Sequence, residues 1–329
     1  MKSNSYTYQL INAEKLLSPV DPILPCGVHL LYEPIYDEII YEVKKEYQFH
    51  SPSEQTPNTP VTNWPKIVGL CQEVLEQQSK DLQIAAWLLY ALVKTNGTAG
   101  LQEGLQLIHE LLLIYWEKIH PTSEDDPEVR LSPLIWLENK LPTALNLIEL
   151  TPYKNQVSLG YEENRSPCNL YQIYLSSNIE DTNTEDTPLK SQFLKTAQSA
   201  PSSWHSVRAK EIKQSLKLIR QIKQLLTHSF HEDAPTYDKT LSVLGQLLTL
   251  QEQAAKQSIT KNENKINDPK FEKLCEQLLK VANKFQTNYP QSPIGYLVQQ
   301  AVNYRAHSLQ EVVQLLPKLQ VEQEDHVEA

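Results

Sequence analysis

Apolar residues recur along most of the chain at the three-to-four-residue spacing of amphipathic helices. One stripe that shows this spacing comprises Ile67, Leu70, Cys71, Val74 and Leu75. Asn63 lies just before the stripe and is the predicted N-cap of its helix. No long run of the sequence alternates apolar and polar residues with the period of two that a half-buried strand requires. The pattern therefore predicts an all-α fold.

A buried helix is predicted after Asp81, because residues 82–94 are apolar nearly all round. The segment NGTAG, which contains Gly97 and Gly100, is expected to separate this helix from the next one, predicted from Leu101 to Ile119.

Two proline-containing pairs punctuate the following segment. His120-Pro121 should end the preceding helix, and Asp126-Pro127 combines an N-cap with an N1 proline. The helix that opens there is predicted to run through Trp136, and another is expected over Leu141–Leu150.

Polar, turn-rich stretches divide the rest of the chain, such as EDTNTEDTP and QEQAAKQSITKNENKIND. At 329 residues the chain is long enough to bury a substantial core. The predicted organisation is a multi-helix domain over 1–150, a linker with a short helix near Leu189–Thr196 over 151–202, a helical hairpin over 203–252, a second linker over 253–267, and a small C-terminal helical module over 268–329.

The C-terminal module is predicted to contain short amphipathic helices that start at Asp268-Pro269, at Ser292-Pro293 and at the capping box Ser308–Glu311. A unit of about 60 residues is marginal on its own. Its apolar faces are therefore expected to need a partner, either the rest of the chain or another copy of it. The residues predicted to mediate self-association are Phe271, Leu278, Phe285, Pro293, Leu297 and Leu315.

The charge of the chain disfavours polyanionic partners. Acidic residues outnumber basic ones by 40 to 30, which gives a net charge of −10 and argues against nucleic acid and against an anionic membrane surface. A basic run over residues 210–223 is interpreted first as a solvated helix face. The longest apolar run, Ile84–Val93, is too short to cross a bilayer.

The cysteines are dispersed, and none forms a CxxC pair, so a cysteine-based zinc site is not expected. The N-terminus lacks the apolar core of a signal peptide, and reduced thiols in a cytoplasmic protein fit the sequence. Neither a phosphate-binding glycine loop nor a GxSxG elbow occurs, so the sequence predicts no catalytic residue and no cofactor.

Two histidine clusters are the alternatives to this non-enzymatic interpretation. His228 and His231 have a spacing that puts both imidazoles on one helix face, and Glu232 and Asp233 follow; this makes them candidate metal ligands. A histidine is also favoured at a helix C-terminus by the helix dipole, so a structural role is the preferred interpretation.

His120 is the second candidate, because three carboxylates follow it and could support acid–base chemistry. The structural alternative is that His120-Pro121 ends a helix and Asp126 caps the next. Arg130 could then pair with Asp126 or with Glu124. The tryptophans of this region, Trp64, Trp87, Trp116 and Trp136, are expected in the core, with Trp64 and Trp136 as possible interface anchors.

The order of these residues resembles the TssA family of type VI secretion systems, whose shared part is the ImpA N-terminal domain. The resemblance covers about residues 18–150 and rests on Pro25-Cys26-Gly27, Trp64, Ser79-Lys80-Asp81, Trp87, Gly97, Gly100, Gly104, Tyr115-Trp116, His120-Pro121, Asp126, Arg130 and Trp136. Val28-His29 stands where the family usually has acidic residues. Gln300 stands where the family's C-terminal ending usually has an arginine.

The resemblance implies a non-enzymatic, cytoplasmic assembly protein of short form. It implies a homo-oligomeric ring built by the C-terminal region, with contacts to baseplate and sheath–tube proteins. The family-motif positions Trp64, Asp81, Gly97, Gly100, Trp116, His120, Pro121 and Arg130 would then have structural or docking roles. A helical adaptor in another pathway is the remaining alternative.

Overall fold

A computed structural model describes residues 10–47, 61–122, 127–150, 169–173, 202–266, 269–289 and 292–303, without the side chains of 47, 127, 128, 258–272 and 303. The described part is all-α, as predicted. It contains isolated β-bridges but no β-strand. Its helices are α1 (Ala13–Leu17), α2 (Pro34–Lys44), α3 (Trp64–Gln77), α4 (Leu82–Tyr115), α5 (Pro127–Asn146), α6 (Ser202–Phe230), α7 (Asp238–Ile266), α8 (Pro269–Asn288) and α9 (Pro293–Asn303). Short 3₁₀ turns follow α2 at Lys45–Tyr47 and α6 at His231–Asp233.

The predicted starts of α3 and α4 are confirmed. The Asn63 side chain accepts a hydrogen bond from the backbone N–H of Lys66 at the start of α3. The Asp81 carboxylate accepts from the N–H groups of Gln83 and Ile84 at the start of α4. Such caps satisfy backbone donors that have no partner inside the helix. Asp126 and the capping box Ser308–Glu311 lie outside the described residues, as does the predicted helix near Leu189–Thr196.

Helix α4 reverses direction at Gly97, so the predicted break is present. Gly97 has φ +60° and ψ −128°, which lie outside the helical region. A straight helix over Leu82–Tyr115 would be about 50 Å long at 1.5 Å per residue. Instead, the N–H of Leu82 donates a 2.8 Å hydrogen bond to the carbonyl of His120. The two arms, residues 82–96 and 98–115, therefore lie side by side, and the second arm ends at Tyr115 rather than at the predicted Ile119.

Helix α5 corrects the prediction of two helices in this region. It runs without interruption from Pro127 to Asn146, although Pro133 and Pro142 lie inside it. An interior proline removes one backbone hydrogen bond and usually breaks a helix. Here the apolar face of α5 outweighs that cost, because Leu134, Leu137, Leu141 and Leu145 are all fully or almost fully buried.

The second predicted linker, residues 253–267, is also corrected. Helix α7 begins at Asp238 and extends to Ile266, so it covers nearly all of that segment. The stretch is polar, but it contains mainly good helix formers and offers one apolar stripe. Leu250 and Ala254 are buried, so packing against the core holds the helix where it enters this segment.

A single core joins the predicted domain 1–150 to the predicted hairpin 203–252. Buried side chains from residue 11 to residue 254 form one hydrophobic cluster. Helix α6 packs against α4, and α7 packs against both α5 and α6. The Tyr237 hydroxyl donates to the carbonyl of Leu134, and the Glu138 carboxylate accepts from the N–H of Tyr237. The hairpin exists, but it is part of the N-terminal core rather than a separate unit.

Helices α8 and α9 pack mainly against each other, and α8 also contacts α7. Both begin at the predicted prolines, Pro269 and Pro293. Gly295 allows the two helices to approach closely, because a Cβ atom there would lie 2.9 Å from the carbonyl oxygen of Ala282. No helix among the described residues is long and apolar enough to cross a membrane.

Candidate functional site

Three backbone segments that are distant in sequence meet at the base of α4, and we call this meeting point the junction (residues 26–29, 78–82 and 116–121, together with Arg130). The N–H of Lys80 donates to the carbonyl of Cys26 at 2.8 Å, and the N–H of His120 donates to the carbonyl of Lys80 at 3.0 Å. These hydrogen bonds connect the N-terminal loop to the segment before α4, and that segment to the residues that follow α4. Five of the family-motif positions belong to this junction, namely Asp81, Trp116, His120, Pro121 and Arg130.

Gly27 is required by the geometry of the junction. Its φ is +66°, in the left-handed region that favours glycine. A Cβ atom at this position would overlap the carbonyl oxygen of Gln78. That carbonyl accepts a 3.2 Å hydrogen bond from the N–H of Val28, so it has no freedom to move away. The exposed Val28 side chain and His29 occupy the positions where the resemblance leads one to expect acidic residues.

Lys80 is fully buried at the centre of the junction and connects two helix ends. Its Nζ donates to the carbonyl of Leu16 in the last turn of α1 at 2.8 Å, and to the carbonyl of Leu75 in the last turn of α3. Helix C-termini leave carbonyls without partners and carry a partial negative charge, so an ammonium group fits both needs. Burial lowers the pKa of Lys80 to about 8.

Asp81 follows directly and performs the complementary task at a helix N-terminus. Its carboxylate accepts from the N–H of Gln83 at 2.7 Å and from that of Ile84 at 3.1 Å. Burial raises the pKa of the carboxyl group, and these two hydrogen bonds and the nearby His120 and His29 act in the opposite direction. Asp81 is 3% exposed, and its carboxylate serves as the N-cap of α4.

His120 is also engaged by the backbone. Its Nε2–H donates to the carbonyl of Gly27 at 3.1 Å, and its ring lies 5.5 Å from the ring of His29. The Nδ1 atom is buried without a hydrogen-bond partner among the described residues. The peptide bond to Pro121 is cis. This geometry ties the histidine to the N-terminal loop.

Arg130 closes the junction from α5. The guanidinium donates to the carbonyl of Trp116 at 2.8 Å and to that of Pro121 at 3.3 Å, and it lies 5.0 Å from the centre of the Trp116 ring. The arginine is 4% exposed, so it belongs to the core. The carboxylates suggested as its partners, Glu124 and Asp126, lie outside the described residues.

Gly97 and Gly100 lie away from the junction, at the opposite end of the α4 reversal. A Cβ atom at Gly100 would overlap the carbonyl oxygen of Leu92 on the other arm. One turn further on, a Cβ atom at Gly104 would stand 2.8 Å from the Leu89 Cγ. These glycines let the two arms touch through their backbones. The sequence indicated a break here but did not indicate the reversal.

Trp64 lies at a third place, at the start of α3. Its ring meets that of Tyr90 edge to face at 5.5 Å, and Lys94 lies over it at 5.7 Å. Trp136 contacts the other side of Tyr90 at 5.3 Å. Both tryptophans are partly buried against the core, and Trp87 is buried within it.

His228 and His231, the candidate metal ligands, lie at the end of α6 and line an open cleft of about 1050 Å³ between α4 and α6. The helix ends between them, and His231 has φ +51°, so they do not share the helix face that their spacing predicted. Among the described residues no group of three or more His, Cys, Asp or Glu side chains is placed to hold a metal ion. Cys26, Cys71 and Cys275 are buried free thiols.

The sequence did not single out Lys80 on physical grounds. The only indication was a lysine placed directly before a strong N-cap and after an apolar stripe. Its buried position depends on α1 and α3 ending at the same point, which no local pattern reveals. The polar side chains of the junction form hydrogen bonds with backbone atoms. Such an arrangement positions helices rather than a substrate.

The part of the chain that contains the junction is similar to known proteins. The profile of the family described as ImpA, N-terminal, type VI secretion system matches residues 17–139, which contain every junction residue. Type VI secretion system component TssA1 of Pseudomonas aeruginosa is 31% identical over 132 residues. Both matches relate the N-terminal part of the chain to the TssA component of type VI secretion systems. The match to TssA1 covers 39% of the chain, and it spans 38% of the length of that relative.

A solved structure has the same fold. It is the N-terminal domain, including the conserved ImpA_N region, of the TssA component of the type VI secretion system from Burkholderia cenocepacia. The TM-score is 0.60 at 20% identity, and the match covers 98% of that domain and 78% of the chain. A match of this extent reaches well beyond residue 150, in agreement with the shared core of α4–α7.

Proposed function

We propose that this chain is a non-enzymatic structural component of a type VI secretion system that self-associates through α8 and α9. The N-terminal domain, held rigid by the junction, would then be presented to baseplate and sheath–tube proteins. A head-to-tail contact between neighbouring copies closes into a ring when the rotation between them returns to the first copy. No metal or cofactor enters this proposal.

The observation that carries the proposal is a set of apolar side chains on α8 and α9 that are exposed among the described residues. Leu274, Leu278 and Val281 follow one face of α8 and are 57%, 48% and 46% exposed. On α9, Ile294 is 48% exposed and Leu297 is 60% exposed. Complete burial of an exposed leucine is worth about 1.5–3 kcal/mol before the costs of association, so exposed apolar side chains along one helix face favour a protein interface.

The predicted self-association residues fit this face to different degrees. Leu278 and Leu297 belong to it, Pro293 is exposed at the start of α9, and Phe285 is half-buried. The side chain of Phe271 and all of Leu315 lie outside the described part of the chain.

A structural role is further supported by the use of the junction's polar groups. Lys80, Asp81 and His120 bind backbone atoms that join helices, and Arg130 does the same from α5. The enzymatic alternative based on His120, or on His228 and His231, has no comparable observation in its favour.

Secretion of the tube protein, measured in cells that carry the secretion system and lack this chain, tests the proposal. The wild-type chain should restore secretion, and the double variant Leu278→Glu/Leu297→Glu should not, because two carboxylates would be buried in the interface. Lys280→Glu, an exposed position on the same helix, is the matched control and should restore secretion. Full secretion in cells without the chain would overturn the proposal and favour an adaptor of another pathway.

A further inference from the structure

The cleft between α4 and α6 has one wall with the spacing of a helix-binding surface. On the α4 side it is lined by His109, Leu112, Leu113 and Trp116, which recur at i, i+3, i+4 and i+7. Leu112 is buried and forms the floor, whereas Leu113 is 56% exposed. Trp116 is held in place by Arg130 on one side and by the ring of Phe230, 5.7 Å away, on the other. The apolar wall is therefore rigid before any ligand binds.

The α6 wall is polar and basic. It contributes Arg220, Lys223, Gln224, Leu225 and His228, and none of the cleft-lining residues is an aspartate or a glutamate. The sequence of α6 has no acidic residue after Glu211. A basic wall is unusual in a chain whose net charge is −10. Its basic residues, Arg220 and Lys223, belong to the basic run over residues 210–223.

Much of this basic wall remains available for a ligand. Arg220 is exposed and forms no ion pair with a carboxylate among the described residues, whereas Lys223 shares its charge with Asp238 at 3.3 Å. His109 faces the cleft from α4, and its Nδ1 atom is buried without a hydrogen-bond partner in the described part of the chain. Buried polar atoms are usually satisfied, so an unpaired one at a cleft wall is consistent with a missing donor or acceptor from a ligand.

We propose that this cleft binds an acidic amphipathic helix of a partner protein. The apolar stripe of the helix would cover Leu113 and Trp116, and its flanking carboxylates would face Arg220 and Lys223. Helices bind in such grooves through residues at i, i+3, i+4 and i+7, and the volume of about 1050 Å³ suits two or three turns. The site lies on the N-terminal core, so it is independent of self-association through α8 and α9.

Fluorescence anisotropy with two labelled synthetic peptides tests this site on the full chain. Both peptides have a leucine stripe at helical spacing over about five turns, and they carry either glutamates or lysines on the flanks. The acidic peptide should bind at least about tenfold more tightly than the basic one. Leu113→Gln and Arg220→Glu should each weaken its binding about fivefold to tenfold.

Two neighbouring or similar substitutions serve as controls. Ile114→Gln alters an equally exposed residue next to Leu113 that does not line the cleft, and Lys44→Glu makes the same charge change as Arg220→Glu on α2. Neither control should change the affinity. Equal binding of the two peptides, or equal effects of the cleft and control variants, would overturn the proposal.

Two further results would assign the cleft to a different occupant and would also overturn the proposal. If Leu113→Gln lowers the molar mass of the chain in light scattering, a second copy occupies the cleft. If neutralising Glu322, Glu324, Asp325 and Glu328 together raises peptide affinity about tenfold, the acidic end of the chain competes for it.

Discussion

Gly104 lies against Leu89 so closely that a Cβ atom at position 104 would stand 2.8 Å from the Leu89 Cγ. The two residues lie on opposite arms of the α4 reversal. The same approach recurs between Gly100 and Leu92. The distance between the arms is therefore set by backbone contact, and this contact brings the start of α4 and the end of its second arm together at the junction.

Replacing Gly100 by alanine should destabilise the protein by roughly 2–4 kcal/mol, because the added methyl group would overlap a backbone carbonyl that cannot rotate away. Gly69→Ala is the matched control, since Gly69 lies in α3 and has open space where its Cβ would be. That change should stabilise the protein by up to about 1 kcal/mol through helix propensity. Urea unfolding followed by circular dichroism measures both; equal effects would show that the arms do not touch at Gly100.

Replacing Lys80 by methionine should cost roughly 3 kcal/mol of unfolding free energy, although methionine has a similar size. The loss has a specific cause, because the carbonyls of Leu16 and Leu75 would be buried without a donor. Lys44→Met on the exposed end of α2 is the control and should change the unfolding free energy by less than about 0.5 kcal/mol. A Lys80→Met protein that matches the control in urea unfolding would refute the connecting role of Lys80.

The pH dependence of stability should report the burial of Asp81. Its folded-state pKa is raised above the ordinary value of 3.8, so the native protein binds its proton more tightly than the unfolded chain does. Protonated Asp81 therefore stabilises the folded state, and this contribution is complete below pH 3.8. It is lost as the pH rises from 3.8 through the higher pKa of the folded protein.

Two variants isolate this effect. Asp81→Asn keeps a capping oxygen and carries no charge, so its stability relative to wild type should increase as the pH is raised from acidic to neutral values. Asp81→Ala removes the cap and should lose about 1–2 kcal/mol at neutral pH. Thermal unfolding across this pH range provides the comparison, and a difference between Asn and wild type that does not vary with pH would contradict the raised pKa.

Local chemistry predicted much of this fold. The caps at Asn63 and Asp81 and the prolines at the starts of α8 and α9 act within one turn of the chain, so sequence alone reveals them. The glycine-rich break at Gly97 was also predictable. Its geometry was not, because a reversal depends on contacts between residues that lie on separate arms.

The incorrect predictions have a common physical cause. Residues 253–267 resembled a linker because they are polar, and Pro142 resembled a helix start because proline rarely lies inside a helix. In both cases packing of one apolar face against the core outweighed the local preference. The junction illustrates the same limit, because His120, Lys80 and Gly27 meet only in the folded chain.

The proposed self-association is tested most directly by the molar mass of the purified full chain in multi-angle light scattering. We predict a mass several times that of the 37.8 kDa single chain at micromolar concentration. The Leu278→Glu/Leu297→Glu variant should fall to the mass of one chain, and Lys280→Glu should keep the wild-type mass. A wild-type chain that remains at 37.8 kDa, or a double variant that keeps the full assembly, would contradict the proposal.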